Sequence, residues 1–169
     1  MDLFIVITLA LLSVMGIVVG VSNDAVNFLN SAFGSKVAKK NVILAIAGIG
    51  VMVGVMTSSG MMDVARSGVF YPQMFSYQEI MILFLGMMLS NIILLDIYNS
   101  LGLPTSTTVS LVFGLLGSAM ALALYNIWGG VTDAPLSEYI NSGNALAIVS
   151  GILLSVVLAF FSGHILMYI

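Results

Sequence analysis

From Leu3 to Ser35 the chain passes through 33 residues with a single charge, Asp24. A hydrocarbon core is spanned by about 20 apolar residues, whereas this run as one straight helix would be roughly 50 Å long. It must tilt and project, or be interrupted. Further apolar runs follow at 42–62, 79–101, 109–126 and 144–169. Only 7% of the 169 residues are charged and 60% are hydrophobic, against about 25% charged in a soluble domain. The fold class is therefore all-α: a polytopic integral membrane protein, read as one membrane domain over 1–169.

The same composition removes other classes. Net charge is −3 with no basic block, which leaves no nucleic-acid partner. Cysteine is absent, so no thiolate metal site or disulfide framework exists. Met1–Ile5 lacks the positive n-region of a secretory signal, so the first run is expected to be retained. No catalytic signature occurs: there is no H-E-x-x-H, P-loop or dinucleotide fingerprint, and the chain is not read as an enzyme. The 12 methionines are scattered and read as packing. His164 reads as a polar donor between helices.

Lys36, Lys39 and Lys40 hold three of the four basic residues in one short connection. The positive-inside rule places that loop in the cytoplasm and the N-terminus outside, in a multi-pass protein of the cell (plasma or inner) membrane. The loop 127–142 has acids but no Lys or Arg, which agrees in parity. Residues 61–70, with Asp63 and Arg66 three apart, read as a short interfacial helix with a surface ion pair.

Two polar clusters interrupt the apolar runs. In G-V-S-N-D-A-V-N (20–27), Gly20 loosens the backbone while Ser22, Asn23 and Asp24 compete for its hydrogen bonds, so a broken first helix is expected. Asp24 and Asn27 lie on one helical face and could share a hard cation. In G-L-P-T-S-T-T-V (102–109), four consecutive hydroxyls, Thr105 to Thr108, follow Pro104. They cannot all bond back into one turn. At a helix N-terminus they form a neutral cradle for an anion, aimed by the positive end of the helix dipole. The flanking runs 79–101 and 109–126 are either full spans or the arms of a re-entrant helical hairpin. Asp96, one turn before Asn99, is a carboxylate in an apolar setting and must be protonated or bound to a cation.

An anion beside Asp24 and Asp96, with no Lys or Arg in the apolar runs, would be strongly repelled. Small cations must enter with it, so the electrostatics predict coupling to sodium or protons, with no other cofactor.

The two clusters resemble the paired signatures of the inorganic phosphate transporter (PiT) family, G-A-N-D-x-x-N-A and P-V-S-T-T-H. Here Ser22 stands for the usual Ala, Thr105 for the Val and Val109 for the His. The resemblance implies cation-coupled phosphate transport by two inverted repeats, with phosphate held by Asn23, Asp24, Ser106, Thr107 and Thr108. Asp24, Asn27 and Asp96 are the candidate cation ligands. Each signature occurs once, so the chain is expected to be one half, the N-terminal repeat, of such a transporter, needing a second repeat or subunit, with a homodimer as one form. The other readings are a transporter or channel for another tetrahedral oxyanion, such as sulfate or molybdate, and a non-transporting membrane subunit or fragment.

Overall fold

A computed structural model describes residues 2–168, apart from the side chains of Asp2, Met61, Met62, Ala65 and Arg66. The helices among the described residues are α1 (Asp2–Ser35), α2 (Lys40–Met56), α3 (Ser59–Asp63), α4 (Tyr77–Leu101), α5 (Thr107–Trp128), α6 (Leu136–Tyr139) and α7 (Ser142–Leu166). A π turn at Val64–Gly68 continues α3, and a 3-10 turn at Pro72–Met74 precedes α4. No strand forms among the described residues, only one antiparallel bridge between Phe70 and Ile140. Four helices, α1, α4, α5 and α7, are long and apolar enough to cross a membrane. The expected ion pair between Asp63 and Arg66 lies outside the described residues.

The first helix is not broken. α1 runs through Gly20 to Asp24 without interruption, contrary to the expectation above, because no polar side chain takes a backbone donor away from the helix. Ser22 Oγ donates to Val18 O at 2.7 Å, within the helix, and Asn23 reaches across to another segment. Gly20 by itself costs only about 1 kcal/mol against alanine, too little to open a turn. The apolar run 42–62 behaves differently: α2 stops at Met56. Thr57 Oγ1 folds back onto Val53 O at 3.0 Å and Ser58 Oγ onto Val55 O at 2.8 Å, which satisfies the last carbonyls and ends the helix. The expected short helix at 61–70 is realised as α3 and its π turn.

α4 and α5 form an antiparallel hairpin. Val112, Leu115, Ala119, Ala123 and Asn126 recur at helical spacing and are all buried, so they make one stripe on α5. It packs against Leu83 and Met87 of α4 in the main apolar cluster. Small residues allow the approach: Gly86 faces Ser118, and Gly114 faces Met87 and Ser90. Polar pairs fix the register. Ser110 Oγ donates to Asn91 Oδ1 at 2.6 Å, and at the far end the buried Asn126 amide donates to Glu79, whose other oxygen caps Ser76 N.

α1 lies beside α4 and parallel to it, since partners rise together in number: Ser13 with Met88, Gly16 with Ile92, Val19 O with Asn99 Nδ2. A parallel neighbour requires that the chain return between them, which is what α2 and the segment to Ser76 accomplish. The segments Val69–Phe75 and Tyr139–Asn141 then meet at one end. Tyr71 N donates to Tyr139 O and Asn141 N to Val69 O, at 2.9 and 3.0 Å. Phe75 sits edge-on to both Phe70 and Tyr139. The loop between α4 and α5 lies at the opposite end of the hairpin. By contrast α2 buries only Ile43 and α7 only Ala145, and their outward faces are apolar.

Two outcomes follow from this packing. Leu115→Ala, at a site with no exposure, is expected to lower stability by about 2–5 kcal/mol, read as a drop in thermal unfolding midpoint in detergent, whereas Leu153→Ala on the exposed face of α7 leaves the midpoint in place. In this cysteine-free chain, single cysteines at Lys39 and at Ser137 should react with a membrane-impermeant maleimide from opposite sides, Lys39 from the cytoplasmic one. Labelling of both from one side would overturn the arrangement of α1, α2 and α4.

Candidate functional site

The turn between α4 and α5 brings the two polar clusters together. α4 ends at Gly102, which takes φ +67°, a left-handed conformation that glycine adopts without Cβ strain. Gly102 N and Leu103 N close the helix on Asn99 O and Tyr98 O at 3.2 and 3.0 Å. Pro104 cannot continue a helix and biases its predecessor to extended backbone. Ser106 then starts α5 as N-cap, its Oγ accepting from Val109 N at 3.3 Å. Its own carbonyl accepts from Ser110 N at 3.0 Å.

α1 supplies the other wall. Asn23 and Asn27 are one turn apart on the same face, and both side-chain amides donate to Thr105 O, at 2.9 and 2.8 Å. Asp24 is turned about 100° away from Asn23 on the helix. It accepts from Thr107 Oγ1 at 3.3 Å through Oδ1. The contact level lies about two turns before the end of α1 at Ser35, so α1 runs on past the loop.

Between these walls is a cleft of about 450 Å³, bounded by Asp24, Asn27 and Phe28 of α1 and by residues 104–108. Against a share of about 30 Å³ per water, it has room for a tetrahedral oxyanion together with a small ion or several waters. Its chemistry is two-sided. On one side are the hydroxyls of Ser106, Thr107 and Thr108 and the N–H groups of Thr107 and Thr108, which as first-turn donors have no helical acceptor. On the other are the second oxygen of Asp24 and Oδ1 of Asn27. Among the described residues no basic side chain bounds the cleft.

The expected site residues therefore divide. Asp24, Asn27, Ser106, Thr107 and Thr108 line the cleft. Asn23 is 1% exposed and does not line it; its amide is spent on the Thr105 carbonyl. Asp96 is exposed on α4 and also lies outside the lining. Phe28, an apolar wall, had no distinguishing signal among the nine phenylalanines. Asn99 ties the end of α4 to α1 by donating to Val19 O at 3.3 Å, a role that only the packing reveals.

Over 141 residues the chain is 30% identical to "Putative phosphate permease TK2061" of Thermococcus kodakarensis. The match takes in 81% of this chain and 34% of that protein, so the chain spans about a third of the length of the curated relative it matches. No solved structure matches it. The family model described as "Phosphate transporter family" covers residues 20–169, beginning at Gly20 and taking in both walls of the cleft. With that match over most of its length, this multi-pass membrane chain belongs to the phosphate transporter family.

Proposed function

We propose that the chain builds one wall of a phosphate-transport pathway, in which inorganic phosphate binds at the start of α5 and a sodium ion or proton binds with it at Asp24. The observation that carries this reading is the Asp24 to Thr107 contact, which sets a carboxylate directly beside a helix N-terminus rich in free donors. The donors match the oxyanion, and the dipole adds a favourable partial charge.

Asp24 then raises the question of charge. At an effective dielectric of about 20, two like charges 4 Å apart repel by about 4 kcal/mol, close to a thousandfold in affinity. Among the described residues no lysine or arginine offsets this at the cleft, so a cation must. Asp24 Oδ2 and Asn27 Oδ1 are two oxygens of the hard type that sodium prefers; protonation of Asp24 would serve equally. Asp24 also favours phosphate over sulfate. Phosphate at neutral pH retains an O–H that can donate to Oδ2, whereas sulfate has none and would leave the carboxylate facing a second acceptor. This weakens the reading as a general oxyanion carrier.

Ser106 and Thr108 are exposed at the cleft. A relative about two and a half times as long supports a second repeat or subunit closing it. An inverted copy of the same two signatures would present matching donors from the opposite side. Asp96, outside this cleft, has no part in binding phosphate on this reading.

Equilibrium binding of labelled phosphate to the purified chain tests the proposal. With sodium saturating, Asp24→Asn and Ser106→Ala are each expected to weaken binding at least about tenfold, since each removes a hydrogen bond to a charged ligand worth roughly 1.5–3 kcal/mol. Asp96→Asn should stay within about twofold, and sulfate should compete about 100-fold more weakly than phosphate. Equal binding in wild type, Asp24→Asn and Ser106→Ala would sink the assignment of this cleft. Coupling is read separately, from phosphate uptake into proteoliposomes. Uptake that ran equally fast with the sodium and proton gradients both removed would show that no cation travels with the anion.

A further inference from the structure

We infer that Asn23 and Asn27 are positioning residues: a two-pronged amide clamp on the Thr105 carbonyl that holds the Ser106–Thr108 donors in place. The functional half of this inference rests on the phosphate reading above; the clamp itself does not.

The geometry is specific. Residues at i and i+4 of a helix stand one above the other, with Cβ atoms about 5–6 Å apart. From those positions both Nδ2 atoms converge on one oxygen, at 2.9 Å from Asn23 and 2.8 Å from Asn27. A carbonyl oxygen has two lone pairs, so both are occupied and Thr105 O is not left to ligate a cation. Asn23 is 1% exposed, which gives its amide no opening to the cleft.

What the clamp controls follows from chain connectivity. The Thr105 carbonyl shares its peptide plane with the N–H of Ser106, the N-cap of α5. Fixing that plane fixes the residue from which the Thr107 and Thr108 donors project. Leu103 to Thr105 are not helical, so without the clamp the loop is held only by the Gly102 turn at one end and the Ser106 cap at the other. The spacing also explains why an unbroken α1 matters. An unwound turn at Gly20–Asp24 would destroy the i, i+4 register of the two amides, and with it the placement of Asp24 against Thr107.

Hydrogen–deuterium exchange on the purified chain separates the clamp from the binding it serves. In buffer free of phosphate and sodium, Asn23→Ala and Asn27→Asp should each speed exchange of the amides that close the loop, Gly102, Leu103, Val109 and Ser110, by about five- to tenfold, as expected for the loss of one hydrogen bond in a local opening. Exchange in the middle of α4 and α5 should be unchanged, which marks the effect as local. Asn27→Asp is chosen because it keeps the side chain's shape while replacing the donor by an acceptor-only carboxylate that the Thr105 carbonyl repels. Exchange at those four amides within twofold of wild type in both variants would overturn the clamp; because Asn27 is exposed on α1, its variant decides the matter even if Asn23→Ala fails to fold.

Phosphate titration supplies the second arm. In wild type, phosphate with sodium present should slow exchange at the loop. Asn23→Ala should raise the half-saturating phosphate concentration about tenfold, although Asn23 does not line the cleft. An unchanged half-saturation with a loosened loop would overturn the positioning role while leaving the clamp. No response of the wild-type loop to phosphate would instead overturn the phosphate reading, and the positioning role with it.

Discussion

Backbone polar groups freed inside an apolar protein must find partners, and the break between α4 and α5 frees many of them at once. In hydrocarbon each unsatisfied group costs several kcal/mol. The structure answers group by group. Gly102 and Leu103 close the end of α4 on its own carbonyls, Ser106 caps α5, and two asparagines of α1 take both lone pairs of the Thr105 carbonyl. What remains is a small set of donors at the start of α5 and one oxygen of Asp24. Ligand chemistry here is the residue of a nearly completed hydrogen-bond account.

The same demand explains why α1 is continuous and where it sits. Asn23 and Asn27 face the loop and satisfy its backbone, and Ser22 only donates back to Val18 O, so the helix stays intact. That contact can form only if α1 and α4 run in parallel with the right offset, which Gly16 against Ile92 and Asn99 on Val19 O maintain. At the other end, Asn126 on Glu79 and the Phe70, Phe75 and Tyr139 cluster anchor the hairpin. Two anchored ends leave the loop little freedom to slide along α1.

The site joins opposite electrostatic characters in one cleft. On the proposed reading, the helix N-terminus with its hydroxyls attracts an oxyanion, while the neighbouring carboxylate repels it unless a cation or proton is present. This mutual dependence is a physical basis for binding the two together: each makes the other's site favourable. Membership of the phosphate transporter family agrees with the anion-binding half of this arrangement.

Much of this was legible in the residues. Apolar runs of 20 or more read as helices in a membrane, and a carboxylate or a row of four hydroxyls inside them is costly to bury, so both clusters stood out. The helix bounds were less legible. Gly20 with Ser22, Asn23 and Asp24 reads as a breaker because local hydrogen-bond competition is all that sequence displays, and the rival acceptor, Thr105 O, lies 82 positions away in Asn23's case. For the same reason the sequence could not separate the role of Asn23 from that of its neighbour Asp24. Sequence by itself determined the membrane class, the helical content and the kinds of chemistry available. Only the tertiary structure decided which groups meet, because a helix turns each successive side chain by about 100°: Asp24 was sent to the cleft and Asn23 to a buried carbonyl.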